Sequence, residues 1–526
     1  MTQARVILVG YEDQDNLGLR YLSSCLRARG HWTRIVSVRG RAGSLLEAVR
    51  AERPHVVGFS LIFQYLVPEF ASLLAEMRNA GVSAHFTVGG HYASFEPQTL
   101  MRAIPELDSV VRFEGEDTLV ELVERVAGGE PWHSVAGTAA RTADGVVLNP
   151  IRPGRAELDN LPWPDRDDIQ YEHQGLPTAS VIGGRGCPWK CTFCSIITFY
   201  EGNGTRGRRR RQPKRIVDEL EYLHRKRGVR IILWQDDDFL AGGRIAVAWA
   251  HEIARECVQR RLHQTIRWKI SCRSDEVKED TLAPLVEAGL THVYLGVESG
   301  DPDNLRHMNK LLGPEAHLRA REVLQRLGLS FDFGFMLFEP WSTLATVRNN
   351  IAFLRDFAGD GSSIVSFCRT LPYAGTPIET RLRIEGRLLK NDFTADYCFL
   401  DSRLDVLYDW TLSAFGERNF SVHGTANLLR LLLFELNLRL PDRWLGNGLR
   451  DCGRALAAVS NRLLLDALEG ALDYVESAAD PRKDDSALQL LAAQHAAEDA
   501  SLRQDLARLT ARRTRARSEQ LLHATR

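Results

Sequence analysis

Two stretches of the chain alternate short apolar runs with segments of helical periodicity, and this alternation constrains the fold more than any other feature. In the first stretch the apolar runs lie at 5–10, 34–38, 55–61, 84–88 and 109–112. Apolar runs of this length, separated by helices, are typical of buried parallel strands. They predict a doubly wound, Rossmann-like α/β domain, in which ligands bind beyond the carboxyl ends of the strands.

The second stretch begins near residue 178 and repeats the alternation six times. Its apolar runs lie at 179–183, 229–234, 265–271, 292–297, 331–337 and 364–371. Six strand–helix units predict a β/α barrel, partial or complete, with its active site at the carboxyl ends of the strands.

The remaining segments complete a division into four predicted parts. Asp144-Gly145 between two short apolar runs is a hairpin signal. From about 385 helix signals replace strands. A Leu-rich run at 428–440 is predicted to be core or a partner helix, and the polar sequence after about 480 predicts a surface helix or a frayed terminus. The predicted parts are a doubly wound domain (1–130), a linker with a hairpin (131–177), a barrel domain (178–385) and a mainly helical domain with a polar tail (386–526).

Charge and composition exclude several classes of protein. The 526 residues include 67 Lys and Arg against 68 Asp and Glu, so no global field favours nucleic acid. No apolar run reaches the roughly 18 residues of a membrane span, and the N-terminal residues show no signal-peptide pattern. We therefore expect a cytoplasmic protein without membrane or nucleic-acid partners, whose nine cysteines stay reduced.

Three cysteines lie within eight residues, directly after the first strand of the second series. Cys187, Cys191 and Cys194 have the spacing C-x3-C-x2-C and follow the glycine-rich stretch 183–186. Three thiolates on one loop can hold three irons of a [4Fe–4S] cluster and leave the fourth iron open. The alternatives are a zinc site completed by a distant His or Cys, or three unrelated thiols. The other six cysteines are predicted to be buried packing residues.

With Phe193 at the aromatic position, the cysteine motif resembles the C-x3-C-x-aromatic-C signature of the radical S-adenosylmethionine (SAM) superfamily. The resemblance implies a [4Fe–4S] cluster on the three cysteines, with SAM chelated to its open iron. It also implies an external one-electron reductant of the flavodoxin or ferredoxin type, because an electron is needed to cleave SAM to the 5′-deoxyadenosyl radical. The SAM contacts that it implies are Phe193, Gln235, Asp236, Arg273 and Glu298.

Four motifs at the strand ends of the first series extend the resemblance. They lie at 16–22, 57–60, 88–91 and 112–116, and with the cysteine motif they resemble the B12-binding radical SAM subfamily over residues 4–385. The first loop lacks the histidine of the D-x-H-x-x-G corrinoid signature, which implies cobalamin without a histidine lower ligand. For His91, a contact to the nucleotide tail and a purely structural role remain open. The implied cobalamin contacts are Asn16, Ser60, Leu61, Gln64, Tyr65, Gly89, Gly90, His91, Glu114, Gly115 and Glu116.

The family resemblance implies an enzyme of the class B radical SAM methylase type. Such an enzyme would methylate an unactivated carbon, or with less weight a phosphorus, of a small-molecule natural-product intermediate through methylcobalamin and the 5′-deoxyadenosyl radical. One alternative is a B12-binding radical SAM enzyme that performs a rearrangement or cyclisation without methylation. Another is a corrinoid or iron–sulfur sensor or electron carrier. No catalytic residue is assigned beyond these cofactor contacts.

A basic run at 206–215 is compatible with several roles. It contains five arginines within six residues at 206–211. Runs of this kind bind phosphate or nucleic acid, but the segment could equally pair with the acidic loops of the chain or with an anionic substrate.

Overall fold

A computed structural model describes residues 3–39, 43–166, 171–173, 175–389, 393–438, 440 and 447–524. The chain divides into two compact units, each built from separate stretches of sequence. The first unit comprises Met1–Glu172, Pro177–Glu219 and Leu371–Tyr397, and the second comprises His173–Leu176, Leu220–Thr370 and Cys398–Arg526. The predicted domain limits, which follow the sequence without interruption, stay a prediction.

The N-terminal part of the first unit is a doubly wound sheet, as predicted. Its seven strands have the order β2-β1-β3-β4-β5-β6-β7, with β1 to β5 parallel and a hairpin of β6 and β7 added antiparallel. The strands are β1 (Arg5–Gly10), β2 (Trp32–Ser37), β3 (Val56–Ser60), β4 (His85–Gly89), β5 (Ser109–Val111), β6 (Thr138–Thr142) and β7 (Gly145–Leu148). The helices are α1 (Leu17–Ala28), α2 (Ser44–Glu52), α3 (Val67–Asn79), α4 (His91–Phe95), α5 (Pro97–Ala103) and α6 (Glu116–Gly128).

Burial on both faces explains the apolar runs of this sheet. Val6, Ile7 and Val9 are wholly buried because helices cover both sides of β1. The chain runs from β1 to β2 on one side and continues to β3 on the other side of β1. This reversal opens a crevice at the carboxyl ends of β1 and β3, where ligands of such sheets bind.

The segment that follows contains short elements and the cysteine motif. Its strand β9 occupies the place of the first predicted strand of the second series. The elements are β8 (Tyr171–His173), β9 (Leu176–Val181), β10 (Gly184–Arg185), α7 (Ile196–Gly202), β11 (Arg209–Arg210) and α8 (Pro213–Arg227).

The second unit contains five parallel strands in the order β12-β13-β14-β15-β16, which confirms the βα alternation predicted for this part of the chain. The last strand, β16, is much shorter than the predicted run at 364–371. The elements are β12 (Ile231–Trp234), α9 (Gly243–Gln259), β13 (Arg267–Arg273), α10 (Glu279–Glu287), β14 (Leu290–Glu298), α11 (Pro302–His307), α12 (Pro314–Arg326), β15 (Ser330–Phe338), α13 (Leu344–Ala358) and β16 (Cys368–Arg369).

The C-terminal part is helical, as predicted, and its last segment is a largely exposed helix, which agrees with the predicted surface helix and not with a frayed terminus. The helices are α14 (Pro377–Ile384), which belongs to the first unit, and α15 (Ser402–Phe420), α16 (Thr425–Asn437), α17 (Asn447–Ser477) and α18 (Ser486–Ala524). Leu506 and Leu509 of α18 are buried in one cluster with Leu429 and Leu433 of α16. Apolar residues at helical spacing therefore give the polar segment one buried face. The Leu-rich run is core, as predicted.

Two of the six remaining cysteines contradict the prediction that all are buried. Cys25, Cys257 and Cys272 are buried, whereas Cys368 and Cys398 are exposed and Cys452 is half-buried. Cys368 lies on β16, the two-residue edge strand of its sheet, where one side has no neighbouring strand. Within the part of the chain that the structure describes, no helix has an apolar stretch long enough to cross a membrane.

Candidate functional site

The cysteine motif forms a half-buried loop between β10 and α7. Close packing of β11 against the residues before the loop requires glycine, because a Cβ atom on Gly186 would lie 2.3 Å from the carbonyl oxygen of Gly207. Gly186 also has a φ of +89°, which other residues rarely adopt. The sequence and the packing therefore both specify a sharp turn directly before Cys187.

The three thiols of the loop fit the cysteine ligands of a [4Fe–4S] cluster. Within the described ranges, no three His, Cys, Asp or Glu side chains converge closely enough to hold one metal ion. In a [4Fe–4S] cluster each cysteine binds a different iron, so the thiolates stand farther apart than the ligands of one ion. Three thiols on one glycine-flanked loop therefore fit this group.

Buried ion pairs connect the start of the cysteine loop to the loop between β5 and α6. Arg185 donates hydrogen bonds to Glu114 over 2.8 Å and to Glu116 over 2.6 Å. Arg209 donates to both oxygens of Glu114, over 2.9 and 3.0 Å. Burial by itself would raise the pKa of Glu114, but the hydrogen bonds and charges of Arg209 and Arg185 outweigh it and lower that pKa. Glu114 is thus an ionised partner of two arginines, and Glu116 pairs with Arg185.

His91 connects the other end of the cysteine loop to the loop after β4. Its Nδ1 lies 3.1 Å from the hydroxyl of Ser195, the residue after Cys194. Its ring stacks on Phe199 of α7, with 4.2 Å between the ring centroids and 9° between the planes. Burial lowers the pKa of His91 to about 4, so the ring is neutral at physiological pH.

A cavity of about 270 Å³ lies at the carboxyl ends of the first-unit strands, at the crevice that the topology produces. Small residues leave this space open, and they include Gly58, Gly89 and Gly115. Of the predicted cobalamin residues, the structure brings together Asn16, Ser60, Gly89, Gly90, His91, Glu114, Gly115 and Glu116 in its lining. The lining residues that the sequence analysis missed include four from the two sides of the cysteine loop, namely Ile182, Arg185, Phe199 and Tyr200.

The other predicted cobalamin residues lie elsewhere in the first unit. Gln64 lines a second cavity of about 240 Å³, and its side-chain oxygen accepts a hydrogen bond from the backbone of Ala374 over 2.9 Å. Tyr65 is half exposed and stacks on Phe63 with 5.5 Å between the ring centroids. Leu61 is wholly buried in the hydrophobic core, so its side chain does not line either cavity.

The predicted SAM residues of the second unit lie at the carboxyl ends of successive strands. Gln235 is exposed and Asp236 is buried directly after β12. Arg273 at the end of β13 is buried and pairs with Asp275 over 3.0 Å. Glu298 at the end of β14 follows a register shift and has a φ of +67°, a strained conformation typical of functional sites.

Lys310 brings two of these residues together, and the sequence analysis missed it. Its carbonyl oxygen accepts a hydrogen bond from Arg273, and its Nζ lies 3.4 Å from Glu298. Lys310 lies in a loop between two helices, where no periodicity or spacing marks it. Glu276 was also missed. Burial and the neighbouring Asp238 carboxylate raise its pKa well above the usual range, so it is protonated at neutral pH.

Two protein families match the parts of the chain that carry the candidate site. Residues 5–123 match the B12 binding domain family, and residues 181–349 match the radical SAM superfamily. The two matches cover the doubly wound sheet and the βα series that begins with the cysteine loop.

Individual relatives are similar over most of the chain. An uncharacterized methyltransferase of Pyrococcus horikoshii is 28% identical over 68% of this chain and 76% of its own length. The hopanoid C-3 methylase of Methylococcus capsulatus is 28% identical over 74% of this chain and 72% of its own length. An anaerobic magnesium-protoporphyrin IX monomethyl ester cyclase of Rubrivivax gelatinosus is 28% identical over 65% of this chain and 62% of its own length.

A solved structure shares the fold of nearly the whole chain. The cobalamin-dependent SAM radical enzyme OxsB, with aqua-cobalamin and SAM bound, superposes with a TM-score of 0.69. The match covers 98% of this chain and 84% of OxsB at 18% sequence identity. The fold predicted from the sequence is therefore confirmed, including a helical C-terminal part.

Proposed function

Since the chain carries a B12-binding domain followed by a radical SAM domain, we propose that it is a cobalamin-dependent radical SAM methyltransferase. Its substrate would be a small-molecule natural-product intermediate, methylated at an unactivated carbon. One observation carries this proposal beyond the family matches. The cavity at the carboxyl ends of the sheet is lined by residues from both flanks of the cysteine loop, so one site can hold a corrinoid beside a cluster.

The proposed cofactors supply the reactive groups, and the protein holds them. When bound, the cluster would bind SAM and pass it one electron, while cobalamin would carry the methyl group. Cys187, Cys191 and Cys194 would hold three irons, and Phe193 lies between two of them in sequence. Gln235, Asp236, Arg273 and Glu298 would hold SAM at the strand ends.

The residues of the first-unit cavity would hold cobalamin through shape more than through charge. Glycines and serine along the lining admit a flat ring system close to the backbone. His91 would serve as a neutral packing surface, since its ring is already stacked on Phe199 and its Nδ1 contacts Ser195. Glu114 and Glu116 would act as positioning residues, because Arg185 and Arg209 occupy their carboxylates.

The proposal includes partners and a compartment. A one-electron donor of the flavodoxin or ferredoxin type would reduce the cluster, as the family resemblance implies. We place the enzyme in the cytoplasm, where its thiols stay reduced. A histidine lower ligand to cobalt is not proposed, since the loop after β1 at residues 11–16 contains no histidine.

A second candidate function is a rearrangement or cyclisation with the same cofactors. The similarity to the cyclase of Rubrivivax gelatinosus favours it, because that protein is as similar in identity as the methylase. The two candidates differ in the fate of SAM. Methyl transfer consumes one SAM as methyl donor and releases S-adenosylhomocysteine, whereas a rearrangement releases 5′-deoxyadenosine alone.

The test needs no knowledge of the substrate. The reconstituted protein with cobalamin is incubated anaerobically with titanium(III) citrate and SAM that carries a deuterated methyl group. We expect S-adenosylhomocysteine and deuterated methyl on cobalamin by mass spectrometry. The Cys191→Ala variant is the matched control, and it should keep methyl transfer to cobalamin but lose formation of 5′-deoxyadenosine. Formation of 5′-deoxyadenosine without S-adenosylhomocysteine would refute the methyltransferase and favour the second candidate.

A further inference from the structure

One face of strands β13 to β15 in the second unit carries polar side chains that the family resemblance does not assign. Successive side chains of a strand point to opposite faces of the sheet. On the helix-covered face, Phe333 of β15 packs on Phe357 of α13 with 5.1 Å between the ring centroids. The opposite face, which we call the polar face, carries Lys269, Tyr294 and Asp332. Tyr294 and Asp332 are partners in register, and the Lys269 ammonium lies 5.5 Å from the centre of the Tyr294 ring.

Helix α16 covers only the amino end of the polar face. Its Phe434 ring lies 5.1 Å from the ring of His292, between centroids, and its end packs in one buried cluster with Ile231 of β12. Further along the strands the face is accessible, since Tyr294 is 37% exposed. A small molecule can therefore reach the part of the face between α16 and the carboxyl ends of the strands.

Tyr294 connects this accessible part to the predicted SAM contacts. Gly334 lies beside Tyr294 on the neighbouring strand, and a Cβ atom there would lie 2.6 Å from the Tyr294 hydroxyl and 3.4 Å from the Glu298 carboxylate. The glycine thus leaves room for the phenol to end beside Glu298. Burial raises the pKa of Tyr294, so its hydroxyl stays protonated and can donate a hydrogen bond.

The polar face has an excess of positive charge. Asp332 lies 3.1 Å from Nε2 of His292, 3.9 Å from Nζ of Lys269 and 4.0 Å from Nε of Arg430. Burial lowers the pKa of His292, which leaves two cations against one carboxylate. Among the described residues, the Lys269 ammonium and the Tyr294 hydroxyl accept or donate no hydrogen bond, although 28% of the Lys269 side chain is exposed.

We propose that Lys269 and Tyr294 bind an anionic group of the substrate, either a carboxylate or a phosphate. The inference rests on the proposed function, because it takes the molecule on this face to be the one that reacts beside Glu298. An ammonium and a hydroxyl with donors to spare form charge-assisted hydrogen bonds with an oxyanion. The excess positive charge offsets the desolvation of that anion, and it disfavours a cationic substrate. Lys269 is available for this role because His292 and Arg430 also contact Asp332.

The test uses the full-length protein reconstituted with its cluster and cobalamin and saturated with SAM, so that the probes do not occupy the cofactor sites. The probes are 4-fluorobenzoate, 4-fluorophenyl phosphate and the neutral 4-fluorobenzyl alcohol, and their binding is followed by fluorine NMR. The variants are Lys269→Met and Tyr294→Phe, of which the second removes only an accessible hydroxyl. Lys226→Met is the matched control, because Lys226 is an exposed lysine of the same unit on α8.

We expect Lys269→Met to weaken binding of the preferred anion about tenfold and Tyr294→Phe about threefold, as for hydrogen bonds to a charged group. Lys226→Met and all affinities for the alcohol should stay at wild-type values. Tighter binding of the benzoate would assign a carboxylate, and tighter binding of the phenyl phosphate would assign a phosphate. Equal wild-type affinities for the alcohol and both anions would overturn the inference, as would anion affinities that neither variant changes.

Structural damage and failure of the proposed function have separate readouts. If both variants lose affinity for the alcohol as much as for the anions, the two residues only support the fold and the inference is overturned. Methylation of cobalamin by SAM in the same wild-type preparation, after reduction with titanium(III) citrate, reports on the proposed function. Its absence would refute that function, whereas loss of the anion preference alone would refute only the role of Lys269 and Tyr294.

Discussion

Arg185 is the residue whose removal should disturb the candidate site most. Its side chain is 11% exposed and its partners Glu114 and Glu116 are 8% and 9% exposed, so the substitution Arg185→Met takes one of two cations from Glu114 and the paired cation from Glu116. Breaking a buried pair from one side costs about 3–5 kcal/mol. Arg209 still binds Glu114, so we expect a loss near the lower end, about 3 kcal/mol. For a unit of this size, that loss lowers Tm by about 6–12 °C.

Thermal unfolding of the cofactor-free protein at pH 7.5 measures the effect, by circular dichroism or a fluorescent dye. The double variant Arg185→Met/Glu116→Gln provides the internal control, since it removes one of the orphaned charges. We expect it to be more stable than Arg185→Met alone. The reasoning is refuted if Arg185→Met unfolds within about 0.5 kcal/mol of the wild type, or if the double variant is no more stable than the single one.

The pH dependence of the same variant has a definite sign. In the folded protein the pKa of Glu114 is lowered. The ionised Glu114 carboxylate therefore contributes its full stabilisation above the unfolded glutamate pKa of about 4.3, and this stabilisation is lost as pH falls through the folded-state pKa. The difference in Tm between the wild type and Arg185→Met should therefore be largest at neutral pH and shrink on acidification. A gap that stays constant down to pH 3 would show that packing and not charge is what Arg185 contributes.

Three further predictions concern single residues. Replacing His91 by Ala should weaken cobalamin binding about tenfold in a spectrophotometric titration, because the ring stack and a hydrogen bond are lost. The control variant His91→Phe keeps the stack and should lose less affinity. Equal losses of affinity in the two variants would contradict this prediction. Gly186→Ala should at least halve the iron retained after reconstitution, because its Cβ atom would meet a carbonyl oxygen. Gly204→Ala, at a glycine with a similar φ of +79° but with open space around it, should keep the wild-type iron content. Equal iron contents in the two variants would show that the clash at Gly186 is relieved. Burial raises the pKa of Glu276. The protonated Glu276 carboxyl therefore contributes its full stabilisation below about pH 4.3, and this stabilisation is lost as pH rises through the folded-state pKa. Glu276→Gln should therefore remove part of the loss of Tm on alkalinisation, and identical pH profiles would count against it.

The predictable parts of this protein are those with a local signal. Buried parallel strands read as apolar runs because both faces of the sheet are covered, so β1 to β5 and the strands of the second unit were placed within a few residues. The spacing of Cys187, Cys191 and Cys194 is equally local, because one loop carries all three ligands. The sequence left a surface helix and a frayed terminus open for the segment after 480, because its few leucines are diluted by charged residues and their burial depends on α16.

The residues of the candidate site show more clearly what the sequence could not predict. The resemblance to the B12-binding radical SAM subfamily implied that Glu114 and Glu116 contact cobalamin. The structure keeps them at the cavity but turns their carboxylates to Arg185, which lies about 70 positions away in sequence. Lys310, which contacts both Arg273 and Glu298, had no sequence signal at all.

The sequence by itself determined the class of protein, because periodicity and cysteine spacing are properties of neighbouring residues. It was enough for the doubly wound sheet, the βα series, the helical C-terminal part and the cofactors that the family resemblance implies. Only the tertiary structure decided which charged side chains form ion pairs with each other and which face a ligand. Arg209 is structural and Arg206 and Lys214 are exposed, although all three belong to the basic run at 206–215. The physical reason is that ion pairing depends on distance in space, which the linear order of the residues does not specify.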